Sequence, residues 1–210
     1  MRRRDLIRIA ALALLSPAVS LGETGAAAAE GVDVEAILHD PGAPTGGNAQ
    51  GDVTIVAFVD YNCPYCKKSA PDLARAVKED GRIRLVYKDW PVLTEASVYG
   101  AQLALAAAYQ GRYETVHDAL MAIPGRRIDE QRMLEAVAAS GVDLDRLMAD
   151  LKAHLPEISA LLKRTYAQAE SLGLRGTPTY LVGPLVTSTL DYAGFTRAVA
   201  EARRRQAAGN

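Results

Sequence analysis

The chain has 210 residues, 49% of them hydrophobic and 23% charged, with a formal net charge of −1. That length accommodates one domain of ordinary size with a large insertion, and the composition excludes wholesale disorder and a multi-span membrane protein. So even a charge balance carries no electrostatic footprint for nucleic acid, which is not expected as a partner.

Residues 1–29 read as an export signal. MRRRDLIRIAALALLSPAVSL joins a basic start to an apolar run too short to span a bilayer comfortably, and GETGAAAAE offers A-x-A cleavage sites near Ala28 or Ala29. The order Arg3, Arg4, Asp5, Leu6 also resembles a twin-arginine signal. Removing this segment takes away Arg2, Arg3, Arg4, Arg8, Asp5 and Glu23, which leaves 20 basic against 23 acidic side chains. The expected location is the periplasm, where disulfides persist.

In residues 30–52, GVDVEAILH has room for two turns of helix at most, and DPGAPTGGNAQGD is dense in Pro, Gly and Asn, so the span is expected to be an irregular lead-in. VTIVAFV, Val53 to Val59, is a continuous β-branched and apolar run and predicts a buried central strand. After Asn62 the periodicity becomes helical and stops at Gly81; RIRLVYK then alternates as a second strand. A strand, a helix and a strand of these lengths make a right-handed crossover between parallel strands.

From Glu95 to Leu172 the pattern is helical throughout, in five segments punctuated by Gly111, Gly141, Pro156 and Gly173. RGTPTYLVGP supplies a loop and a strand, VTSTL a further short strand, and DYAGFTRAVAEARRR a closing helix. The expected fold is α/β: a thioredoxin-like domain built from residues 53–94 and 173–210, with an all-helical domain inserted at 95–172.

Only two cysteines occur, Cys63 and Cys66, at the carboxyl end of the first strand. Structural zinc needs four Cys or His ligands, and His39, His117 and His154 lie on three separate elements; covalent haem needs a His where Lys67 stands. Neither structural zinc nor covalent haem is expected. A structural disulfide over so short a loop removes little entropy from the unfolded chain. Redox chemistry explains the placement, because a thiol at the first turn of a helix faces unpaired N–H groups and the positive end of the helix dipole. Cys63 is that thiol, Pro64 suits the first helical position, and Cys66 is placed to resolve a mixed disulfide. Lys67 and Lys68 add positive potential or are solvated surface residues. Gly176-Thr177-Pro178-Thr179, before an apolar strand, predicts a cis proline bend whose backbone can pair with a substrate segment.

With DYNCPYC, YKDWPVL, ASVYGAQLALAA, YETVHDALM and LRGTPTYLVG in view, the chain resembles the DsbA family of exported thiol-disulfide oxidoreductases, in particular its ScsC-like branch. The resemblance implies Cys63 as nucleophile, Cys66 as resolving cysteine and Pro178 as cis proline flanked by Thr177, with Pro64, Tyr65 and Thr177 meeting the substrate. It implies exported proteins with thiols or disulfides as partners, a redox partner in the membrane, and no bound cofactor. One position departs. Relatives commonly carry a buried acid six residues before the first cysteine, where this chain has Ala57, so the proton for Cys66 is expected to come by water, Lys88 or Asp60.

A disulfide oxidase is the leading expectation, with an isomerase or reductase as the alternative. The uncharged Tyr65 implies a potential between those of thioredoxin and DsbA. The lead-in, broken by Pro41 and Pro44, offers little for an oligomerisation stalk, so a monomer is expected. Two further readings use the same region: a Cu(I)-binding protein, poorly supported because Met121, Met133 and Met148 occupy positions that look like helix core, and a chaperone-like binder with Tyr61, Tyr65 and Trp90 along an apolar surface, although core packing is the leading role for Trp90.

Overall fold

The computed structural model describes residues 32–209, so the proposed export signal lies outside the described residues. The β-branched run forms strand β2 at Val53–Val59, preceded by helix α1 (Val34–Leu38) and strand β1 (Thr45–Gly47). Helix α2 follows at Pro64–Asp80, then strand β3 at Ile83–Asp89. Gly81 ends α2 with φ of 68°, a left-handed conformation that a side chain would strain.

β2 and β3 are parallel, with Val53 opposite Ile83 and Val59 opposite Asp89. Strands β4 (Thr179–Val182) and β5 (Leu185–Thr187) add antiparallel neighbours, giving the order β1-β3-β2-β4-β5. Between β3 and β4 the chain makes α3 (Glu95–Ala108), α4 (Tyr113–Ala122), α5 (Glu130–Ala139), α6 (Leu144–Ala153) and α7 (Leu155–Ser171), and α8 (Tyr192–Ala208) closes it. This is an α/β, thioredoxin-like sheet with a helical insertion, as expected.

β2 is buried on both faces, which explains why it reads as one apolar run without alternation. Val53, Ile55, Ala57 and Val59 face the core shared with α2, α8 and the insertion; Val56 and Phe58 face a smaller cluster with Ile37, Trp90 and Ala169. Trp90 meets Phe58 edge on and belongs to that core, the leading expectation for it.

The lead-in carries α1, inside the stretch with room for a short helix, and β1, which was not expected. β1 escaped the sequence because Thr45-Gly46-Gly47 has no apolar residue, and its pairing with β3 is antiparallel backbone bonding at a sheet edge. The lead-in is also held by charge. Asp40 accepts from Lys88 Nζ at 3.2 Å and from Arg164 at 3.0 Å, with the Asp40 and Lys88 side chains essentially without solvent contact. Burial pushes the Asp40 carboxyl up, and Arg164, Lys88 and the Gly42 N–H more than offset it, holding the group below its usual range.

Candidate active site

The turn after β2 delivers Cys63 as the N-cap of α2, with extended backbone and Pro64 at the first helical position. An N-cap side chain stands over the unpaired N–H groups of the first turn. Here Cys63 Sγ accepts from the Cys66 backbone N–H at 3.3 Å, and it donates to the Thr177 carbonyl at 3.2 Å while protonated. Both cysteines carry free thiols and both are buried. The Thr177–Pro178 peptide bond is cis. The turn before β4 thereby lies against Cys63, and its proline is cis as the sequence predicted.

The two thiols differ in acidity. Hydrogen bonding from the Cys66 thiol is the largest influence on Cys63; set against burial, and joined by Thr177 and the N–H groups of Cys66 and Tyr65, it lowers Cys63 to about 6. Burial, together with the neighbouring Cys63, pushes Cys66 far up, so it stays protonated. The Thr177 hydroxyl is buried and makes no hydrogen bond among the described residues, yet it favours the ionised form of both thiols. An orphaned hydroxyl beside an ionisable sulfur is poised to donate to it.

The turn is braced on both sides. Asp60 accepts four donors: the Asn62 N–H and Ser97 hydroxyl at 2.7 Å each, and the Val92 and Leu93 N–H groups at 2.8 and 3.0 Å. Asn62 donates to Thr94 Oγ1 at 2.8 Å and to the Ile128 carbonyl at 3.0 Å, and accepts from the Ile128 N–H at 2.6 Å. Lys67 donates to the Ile123 carbonyl at 2.9 Å. The insertion thus grips the residues on either side of Cys63. Burial lowers the Lys67 pKa, opposed by the negative charge of Asp60 and Cys63. Lys68 is exposed at the surface.

The remaining site residues divide. Tyr65 is 62% exposed beside the thiols, with Val92 and Leu93 also exposed on the adjoining loop. Tyr61, expected at that surface, is instead buried, and Met148, expected in a helix core, is exposed. Neither of the named side chains expected to pass a proton to Cys66 is free to do so. Lys88 pairs with Phe58 in register and faces the opposite side of the sheet, bound to Asp40; Asp60 is saturated by its four donors. Ala57 is buried between Tyr87 and Tyr180 in register.

Sequence reasoning missed Asn62 and a buried polar cluster of Tyr61, Asp89, Tyr113 and His117. One signal was available: Asp89 ends an apolar parallel strand at the same end as the thiols, where a carboxylate needs a reason.

The chain matches the family described as DSBA-like thioredoxin domain over residues 54–196. A thioredoxin-like oxidoreductase from Silicibacter pomeroyi is 38% identical with a TM-score of 0.75, covering 82% of this chain and 98% of that one. The thiol-disulfide exchange protein α-DsbA2 from Wolbachia pipientis is 28% identical with a TM-score of 0.73, covering 80% and 90%. The catalytic domain of Proteus mirabilis ScsC, 23% identical with a TM-score of 0.72 over 80% and 93%, shares the fold. Among curated proteins, the Na(+)/H(+) antiporter NhaA 3 of Salinispora tropica is 30% identical over 177 residues, 78% of this chain; the chain spans 26% of that protein's length. Because the family match runs unbroken from β2 through the insertion into α8, the chain belongs to the DSBA-like thioredoxin domains and is a thiol-disulfide oxidoreductase.

Proposed function

We propose that the protein is an exported dithiol-disulfide oxidoreductase that oxidises thiols in other exported proteins through Cys63 and Cys66. The observation that carries this reading is the asymmetry of the pair, one thiol lowered to about 6 and the other kept protonated by burial. A thiolate stabilised at Cys63 makes it the better leaving group and favours the reduced enzyme, so the disulfide form is an oxidant.

The reaction balances as two exchanges. A substrate thiolate attacks Cys63 Sγ of the enzyme disulfide; the Cys63–Cys66 bond breaks, and Cys66 leaves and takes up a proton. A second substrate thiolate then attacks the substrate sulfur of the mixed disulfide and expels the Cys63 thiolate. Two electrons have passed from the substrate dithiol to the enzyme. A membrane redox partner reverses them. Thr177, Pro178, Pro64 and Tyr65 form the substrate contact, with the backbone before β4 pairing to an extended substrate segment.

The periplasmic location rests on the signal-like sequence of residues 1–29. Among the described residues no helix is long and apolar enough to cross a membrane. A monomer is supported by the lead-in, which β1 and the Asp40 ion pair fasten to its own domain.

Replacing Cys66 with Ala tests the reading. Incubated with a reduced protein substrate and an oxidant, the variant is expected to accumulate a mixed disulfide at Cys63. Cu(I) binding without any trapped species would favour a metal carrier and contradict the enzyme.

A further inference from the structure

The loop between α4 and α5 is tied at both ends to residues flanking Cys63. At one end Lys67 donates to the Ile123 carbonyl at 2.9 Å; at the other Asn62 accepts from the Ile128 N–H at 2.6 Å and donates to its carbonyl at 3.0 Å. Ile128 packs, partly buried, against the core, while Pro124, Gly125, Arg126 and Arg127 are exposed. The pins hold two arginines at the surface beside the turn that carries the thiols.

Arg127 has a φ of 55°, and among the described residues it alone, glycines aside, lies in the left-handed region. A side chain with a Cβ is strained there, and arginine has no short polar group with which to relieve the strain locally, as Asn or Asp does. Nothing within the chain rewards its placement. Neither Arg126 nor Arg127 makes an ion pair or a side-chain hydrogen bond among the described residues.

Two more unpaired, exposed cations stand on the other elements that meet at the thiols. Lys68 lies one helical turn along α2 from the exposed Tyr65. Arg175 stands two residues before Thr177, whose carbonyl accepts from Cys63. The acids on the same loops open helices: Glu95 starts α3, and Asp129 and Glu130 start α5, where Asp129 caps the helix by accepting from the Arg132 N–H at 2.8 Å. The positive end of each helix dipole offsets them. A positive rim therefore surrounds the thiols of a chain that is mildly acidic once residues 1–29 are set aside.

We infer that the rim is a specificity site: Arg126 and Arg127, with Arg175 and Lys68, select acidic polypeptide segments around the substrate cysteine. The inference rests on the oxidoreductase reading and names the substrate class of that same site. Unpaired surface cations attract an oppositely charged segment before contact and fix its register, at small cost because no internal pair has to break. Arg175 meets the segment where its backbone pairs beside Thr177; the pinned loop meets it on the side of Asn62 and Lys67.

The test uses two dithiol peptides of equal length and cysteine spacing, differing only in carrying Glu or Lys on both sides of the cysteines. Each is oxidised by the enzyme disulfide at pH 7, and its rate is divided by its rate with oxidised dithiothreitol, an uncharged disulfide, which removes the peptide's own thiol reactivity. The normalised Glu-to-Lys ratio should be about fivefold at about 0.01 M ionic strength and approach one at about 1 M, where the Debye length is about 3 Å. In Arg126→Gln/Arg127→Gln the low-salt ratio should fall by about half or more. A wild-type ratio at or below one at low salt, or an unchanged ratio in the folded variant, overturns the inference. If the variant does not fold, the wild-type ratio and its salt dependence decide. A ratio near one together with binding to vesicles of phosphatidylcholine and phosphatidylglycerol assigns the arginines to a lipid surface and also overturns it. Failure of the oxidoreductase reading shows separately, as oxidation of neither peptide.

Discussion

At the residue scale the chemistry is concentrated in one sulfur and what surrounds it. Cys63 titrates near 6, so its alkylation by iodoacetamide should be fast above that pH and fall about tenfold for each pH unit below it. A midpoint near 8.5, the value of a free thiol, would remove the basis for the leaving-group argument. Thr177 is the side chain to vary. A hydrogen bond to a charged group contributes about 1.5–3 kcal/mol, so Thr177→Val should raise the Cys63 midpoint by about one to two pH units and make the disulfide less oxidising. An unchanged midpoint would show that the orphaned hydroxyl does not serve the thiolate. Cys63, Cys66, Thr177 and Pro178 were legible in the sequence because each breaks a local rule: a thiol pair at a strand end, a proline before a core strand. Asn62, Tyr113 and His117 were not, since an Asn in a turn and a His or Tyr on an amphipathic helix each have an ordinary explanation. Only their convergence in space makes them part of the site.

At the scale of elements, the pattern of apolar residues gave β2, α2, β3 and the helices closely, because a doubly buried strand and capped helices have strong signatures. β1 had none: its three residues are held by backbone bonds to β3, which no side-chain periodicity encodes. The same blindness hid the Asp40–Lys88 pair, whose partners are remote in sequence. That pair fastens the lead-in to the sheet and has a measurable consequence. Asp40→Ala leaves Lys88 buried with no carboxylate, and breaking a buried pair in this way costs about 3–5 kcal/mol. Urea unfolding should show a loss of that order near neutral pH; a loss under about 1 kcal/mol would mean that water reaches Lys88 and that the lead-in is only loosely attached. The direction with pH follows from the lowered Asp40 pKa. Its contribution is present above the unfolded carboxyl value and is lost as pH falls through the folded one.

For the whole molecule, the helical insertion does more than enlarge the domain. Its loops reach back to Asn62 and Lys67 on either side of Cys63, and α4 supplies Tyr113 and His117 to the buried polar cluster at the end of β3. The thioredoxin-like sheet positions the two sulfurs; the insertion braces the turn that carries Cys63 and seals the interior beneath it. The most direct test is the reduction potential of the Cys63/Cys66 pair, equilibrated against glutathione buffers. With Cys63 near 6, between the thiols of thioredoxin at about 7 and DsbA at about 3.5, the potential should lie between about −270 and −120 mV, on the oxidising side of thioredoxin. A value at or below about −270 mV would contradict an oxidase and make the protein a reductant.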